Sequence, residues 1–227
     1  MKKIIVLFSM FLLLTACGPA GNAIIEWVDF IVWKDTHYYG IYSGELSDDT
    51  YVGDKLGKVK FKVADNITNT NYKIKHGDAA FLEKGTQIYK VKGFSDLIVV
   101  KDSSHINQYR VFAANESGFD WHFKDVPLEE ITKILIYKFV PGENHQFIRE
   151  LKSQDMKVFI ELLKDSKEDE NYQPNTFEKD PTTYTFVLYV DGPIAYKYDI
   201  HFDERNYYWH PWSTNILSEE IEPFLKN

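Results

Sequence analysis

Cysteine is nearly missing from this chain: Cys17 is the single one in 227 residues. Without a second thiol there is no internal disulfide, so the folded part is held by its core. Positive charge is also short, with 26 Lys and Arg against 34 Asp and Glu and a net charge of −8. That balance, with no basic stripe along the chain, argues against nucleic acid and against electrostatic docking on anionic lipid or wall polymers. Long apolar runs are absent as well. The stretch Ile4 to Leu14 is too short to cross roughly 30 Å of hydrocarbon, which takes about 20 helical residues. Repeats and low-complexity tracts are lacking, and so are catalytic signatures. No G-x-S-x-G elbow and no H-E-x-x-H occurs, and Ser43-Gly44 lacks a strand-elbow-helix setting.

What is present starts at the N-terminus. Lys2 and Lys3, an apolar stretch and then small residues form the three-part layout of a secretory signal. Leu14-Thr15-Ala16-Cys17 resembles the lipobox of bacterial lipoproteins. That resemblance implies a diacylglyceryl group on the Cys17 sulfur, cleavage before Cys17, and a palmitate-type acyl anchor in the cell membrane, facing the extracytoplasmic side. Two buried chains anchor far more stably than one, at about 0.8 kcal/mol per buried CH2. Loss of Lys2 and Lys3 takes the formal charge from −8 to −10.

Four segments follow from this reading: a signal peptide over 1–16, a lipidated tether over 17–23, a β domain over 24–120 and an α+β domain over 125–227. GPAGNA (18–23) is small and flexible. IIEWVDFIVW (24–33) is apolar at both parities, a strand buried on both faces with Asp29 discordant. KDTHYYGIYSGEL predicts a bend and a second strand. In Gly57 to Val63, Val59, Phe61 and Val63 face inward while three lysines face water and discourage edge pairing. GTQIYKVKG is a strand bracketed by Gly85 and Gly93, and LIVV and QYRVF supply two more. With no helical period before Asn115, this part predicts an all-β domain of about five to seven strands. NESGFDWHFKDVP (115–127) is the boundary.

Beyond it, ITKILIYKFV is a strand apolar on both faces, ended by Pro141-Gly142. Ser153 is placed to cap a helix whose Met156, Phe159, Ile160 and Leu163 form an apolar stripe. YTFVLYV and IAYKYDIHF flank Asp191-Gly192-Pro193 as a hairpin. On its second strand, Ile194, Tyr196, Tyr198, Ile200 and Phe202 face the core, and Ala195, Lys197, Asp199 and His201 face water. Ser218 starts a short terminal helix in which Pro223 sits awkwardly. The fold class predicted is mainly β plus α+β, the second part a small sandwich with helices on an antiparallel sheet.

ITKILIYKF, the helix around MKVFIELLKD and the strand pair YTFVLYVDGPIAYKYDIHF resemble the YhfM-like lipoproteins of Bacillus-type bacteria. GTQIYKVKGF in the first half is similar to a Gly-Thr-x-Ile-Tyr-x-x-Lys-Gly segment of the same class. The resemblance implies an address and an architecture, and no active-site residue.

Candidate chemistry is sparse. His76-Gly77-Asp78 and His201-Phe202-Asp203 place metal-ligand types two apart, and within a strand these would share a face. Both read better as loop and sheet surface, so no metal and no cofactor is expected. Paired carboxylates for glycan hydrolysis would have to come from Glu129-Glu130, Glu168-Asp169-Glu170 or Glu219-Glu220. Each lies at a helix start or in a charged loop, where solvation and the helix dipole explain it. The most unusual composition is Asn206 to Trp212, NYYWHPW. Tyr207, Trp209, His210 and Trp212 fit a surface that stacks a sugar or a peptide side chain. Tyr207, Trp209 and Trp212 also fit the covers of the second core, and the need of a small sheet for bulky covers favours that. The expectation is a non-catalytic, lipid-anchored protein that binds an envelope protein or wall fragment; the alternative is an envelope hydrolase using paired carboxylates.

Overall fold

The computed structural model describes residues 25–114 and 122–226. Cys17, the signal segment, the tether and part of the expected boundary lie outside these residues. In chain order the strands of the first half are β1 (Phe30–Trp33), β2 (Thr36–Gly40), β3 (Gly44–Leu46), β4 (Val52–Lys58), β5 (Phe61–Lys62), β6 (Asp78–Ala79), β7 (Gln87–Val91), β8 (Phe94–Lys101) and β9 (Tyr109–Ala114). Eight of them form one sheet in the order β4-β7-β8-β9-β2-β1-β6-β5. Pairing is antiparallel except between β5 and β6.

The two ends of that sheet are one stretch of chain. Between β4 and β5, the Val59 N–H donates to the Thr86 carbonyl and the Lys60 N–H to the Gly77 carbonyl, at 2.9 and 2.8 Å. The sheet therefore rolls until residues 52–62 close it, which hides the backbone edges it would otherwise expose. The expected alternation holds only in part. Val59 and Val63 are buried and Lys58 and Lys60 exposed. Val59 joins the inside of the sheet, however, whereas Phe61 and Val63 join the outer cluster of Phe30 and Val32, and the Lys62 side chain is only 19% exposed. Ile31, Val59, Ile88, Ile98, Val100 and Phe112 fill the inside.

Two strands are covered on both faces. The outer side of β1 carries Phe30 and Val32 under the loop that contributes Tyr72 and Ile74. The strand is shorter than IIEWVDFIVW suggested, because Val28 is 64% exposed and pairing begins at Phe30. The discordant Asp29 is buried and meets Arg110 Nη2 at 2.5 Å. Gly40 makes room for it, since a Cβ there would lie 2.1 Å from Asp29 Oδ2. Burial pushes the Asp29 carboxyl up against the opposing pull of Arg110. In β8, all of Leu97 to Val100 is buried: Ile98 and Val100 point inside, while Leu97 and Val99 pack outward against Ile41, Leu46 and Ile194.

The second half contains β10 (Lys133–Val140), β11 (Asn144–Leu151), helix α1 (Ser153–Lys164), β12 (Lys167–Glu168), β13 (Thr182–Tyr189), β14 (Ile194–Phe202), β15 (Tyr207–Trp209), β16 (Asn215–Leu217) and helix α2 (Glu222–Leu225). The strands run β11-β10-β13-β14-β15-β16-β12. Phe159 and Leu163 of α1 and Leu225 of α2 cover one face of this sheet, above Ile134, Ile136, Phe186 and Ile200. The apolar stripe of α1 is thus where its spacing put it. Its cap differs: Ser153 lies inside the helix, Lys152 is the N-cap, and no side chain caps the end. Asp155 in the first turn complements the dipole instead. At the C-terminus Ser218 does cap, accepting from the Glu220 N–H, but the turn it starts is a 3-10 turn, Glu219–Ile221. Pro223 sits in the first turn of α2, where no intrahelical N–H is required of it.

The whole is mainly β, in two curled sheets, and the sheets are not independent. Strand β3 leaves the first half and pairs with β14 of the second sheet, Leu46 opposite Ile194 and Gly44 opposite Tyr196. This corrects the expected wet face of β14. Ala195 is fully buried and the Lys197 side chain is only 17% exposed. They are covered because Tyr137, Val187, Tyr189 and Ala195 form a small cluster against Ile106 of the β8–β9 connection. Asp199, farther along, is exposed as expected.

Candidate functional site

The aromatic segment 206–212 divides between core and surface. Strand β15 lies between β14 and β16, which buries Tyr207 and Trp209 at 2% and 1% exposure. Trp209 meets Phe123 edge-on at 4.8 Å and donates its indole N–H to Ser166 Oγ at 3.0 Å. These two residues therefore present nothing to a ligand. His210 is exposed, and Trp212 is 78% exposed with its ring edge-on to His122 at 4.5 Å. Both lie past the end of β15, where the pairing that buries Trp209 stops.

The residue pairs read as metal-ligand types are engaged in local bonds. His76 Nδ1 accepts the Lys34 N–H at 2.8 Å. Asp78 is buried and accepts from Tyr72 Oη and the Lys75 N–H, at 2.9 and 2.8 Å on the same oxygen. Asp203 repeats the arrangement, with Tyr172 Oη and the Asn175 N–H both at 2.7 Å on Oδ2, and adds the Arg205 and Asn206 N–H groups on Oδ1. Burial opposes its charge, yet these donors outweigh burial and hold the carboxyl well below the usual range. His201 contacts Thr183 Oγ1 at 3.0 Å, and burial pushes its pKa down. Among the described residues, no group of three or more His, Cys, Asp or Glu is placed to hold a metal ion.

The densest charge cluster was not expected. Glu45, in the middle of β3, has a fully buried side chain. Its Oε1 takes the Lys197 ammonium at 2.7 Å and lies 3.1 Å from His105 Nδ1. Beside it, Asn107 Nδ2 bonds the Leu46 carbonyl at 2.7 Å and Tyr189 Oη at 3.2 Å. Burial would raise the Glu45 carboxyl, but His105 and Lys197 together prevail and hold it below its ordinary value. The group stays ionised and is sealed between the sheets. It is a clamp, joining β3 and the β8–β9 connection to β14, with the Glu45 carboxylate itself fully buried.

An open site lies elsewhere. At one mouth of the rolled sheet lies a cavity of about 470 Å³, bounded by the β1–β2 turn, β4 and the β7–β8 turn. Trp33, Tyr38, Leu56 and Phe94 form apolar walls, and Lys34 and Lys90 stand on the rim. Its remaining polar side chains are the hydroxyls of Thr36, Tyr38 and Ser95. Trp33 is set firmly. A Cβ on Gly57 would fall 2.1 Å from the indole, so only glycine lets the ring lie against β4. The His76 ring holds it from the side, edge-on at 4.5 Å. The Trp33 indole N–H is buried without a partner, and burial likewise raises the Tyr38 phenol, helped by Asp96. A volume of this size suits a small organic ligand, and the wall is an apolar body with donors at its edge.

Sequence spacing had no means of finding either feature. Glu45 sits in SGEL without a charged neighbour, and its partner Lys197 is 152 residues away. Lys34 and Lys90 belong to a turn and a strand that come together only when the sheet rolls. Comparison with protein-family models, with curated proteins and with solved structures finds no match to this chain.

Proposed function

We propose that this protein is a lipid-anchored, extracytoplasmic binding protein of the YhfM-like kind, a β domain and an α+β sandwich clamped into one body and tethered through Cys17. It acts without covalent chemistry, as a receptor or accessory at the outer face of the cell membrane. The address rests on Leu14-Thr15-Ala16-Cys17 and on the resemblance given above. The observation that carries the binding role is the cavity beside Trp33, whose wall offers aromatic faces, lysines and hydroxyls. Such a wall retains a ligand by apolar contact and orients it by a few polar groups.

Two measurements test this reading. Growth with radioactive palmitate is expected to label the protein, and Cys17→Ala is expected to abolish the label and leave an uncleaved or membrane-released form. An unlabelled wild-type chain would end the anchored reading. For the body, saturable binding of a small molecule to the purified soluble part is expected, with no turnover of it.

A further inference from the structure

The mouth of the rolled sheet also indicates what kind of molecule it takes. Its two charged lining residues are both lysines, Lys34 and Lys90, in a chain whose net charge is −8. Among the described residues neither lysine has an ion-pair partner, so no carboxylate of the chain neutralises the charge that these two, alone among the lining residues, bring to the cavity. Lys92, next along the chain, is spoken for by the Thr50 carbonyl. Two acidic residues flank the cavity without lining it: Asp96, which acts on the Tyr38 hydroxyl, and Asp35, between Lys34 and Thr36 in the β1–β2 turn. Lys34 is held where it is by a left-handed backbone, φ 56°, and by its N–H bond to His76. Around these cations the lining includes the aromatic side chains of Trp33, Tyr38 and Phe94, with Leu56 and Ile98.

We propose that this cavity binds a small organic anion with a flat apolar body, its anionic group met by Lys34 and Lys90 and its body held against Trp33, Tyr38 and Phe94. The assignment rests on the binding role proposed above and narrows it to one place and one ligand class. Two unpartnered cations on the rim of an apolar hollow favour an anion over a neutral ligand of the same shape. Three aromatic side chains in the lining favour a ring system over a branched chain. Lysines on a rim are screened by salt, so the preference should weaken as ionic strength rises.

The test uses the purified mature chain and two probes with one ring system: 1-anilinonaphthalene-8-sulfonate, an anion, and N-phenyl-1-naphthylamine, which lacks the sulfonate. The anion is expected to bind with one-to-one stoichiometry. Lys34→Asn with Lys90→Gln is expected to weaken it about tenfold while leaving the neutral probe unchanged, asparagine being chosen because it tolerates the left-handed backbone. Ser95→Trp, an exposed position on the rim, is expected to displace both probes. All three changes are at exposed residues, and an unaltered melting temperature verifies the fold. Anion binding that is saturable but indifferent to all three substitutions overturns this site and leaves a binding molecule with its site elsewhere. Equal loss of both probes in the lysine variant overturns the anion preference. No saturable binding by either probe overturns the inference together with the binding role beneath it.

Discussion

Trp209 and Trp212 are three residues apart and live in different media. Trp209, at 1% exposure, contacts Phe123, Phe186 and Tyr198 at ring distances of 4.8 to 6.0 Å. Trp209→Ala is expected to cost about 3 to 5 kcal/mol through the cavity it leaves. Trp212→Ala removes a side chain that is 78% exposed and is expected to stay within about 0.5 kcal/mol of wild type. Urea midpoints of the two variants check this; equal losses would refute the division. Asp203 gives a second residue-scale expectation. Its carboxylate takes four N–H and O–H donors within 3.0 Å and the Arg205 guanidinium at 3.5 Å, so Asp203→Asn should cost about 3 kcal/mol near neutral pH. Because its folded pKa is depressed, that stabilisation is present above the unfolded value of about 3.9 and is lost as pH falls below it. The gap between wild type and Asp203→Asn should therefore begin to narrow below about pH 4 and keep narrowing as pH falls toward the folded value, and a gap that did not change with acidification would contradict the assignment.

At the scale of elements, local pattern was legible and partner choice was not. The strand pairing of the 184–202 hairpin and the stripe of α1 read correctly, because each depends on nearby residues, whereas Val59, Phe61 and Val63 did not share one face. The LIVV run already suggested a strand, and its length extended once both faces of β8 found cover. Strand β3 was the opposite case. Three residues cannot declare which sheet they join, and the choice lay with β14, whose half facing Glu45 would otherwise be an unpaired edge. The Glu45–Lys197 pair fastens that junction. Lys197→Met is expected to cost about 2 to 4 kcal/mol, mainly by leaving Glu45 charged and buried. Glu45→Gln combined with Lys197→Met should cost less than the sum of the single changes, read from denaturation midpoints. Strict additivity would mean that the two do not interact.

For the whole molecule, β3 and the cluster of Tyr137, Val187, Tyr189 and Ala195 tie the sheets into one cooperative unit. A single calorimetric transition is expected, whereas a fragment spanning 122–227 should melt lower or self-associate, because it bares that cluster and part of the β14 edge. Two separate transitions in the intact chain would refute the coupling. Acid should loosen the same junction. Glu45 has a depressed folded pKa, so its contribution is present above about pH 4.3 and fades as pH falls through and below that value. Asp29 opposes this, since its raised folded pKa means that ionisation costs stability as pH rises and protonation relieves that cost.

By itself, the sequence determined the mainly β character, the positions of most strands, the apolar face of α1 and the cysteine that carries the proposed anchor. Those features follow from side-chain periodicity and from short linear signals, both written within a few residues. Only the tertiary structure decided that the first sheet rolls shut, that β3 crosses to the second, that Glu45 is interior, and that Trp33, Lys34 and Lys90 share one hollow. The physical reason is that alternation tells a side chain to leave water without saying what will cover it. That choice is made by contacts between segments distant in the chain.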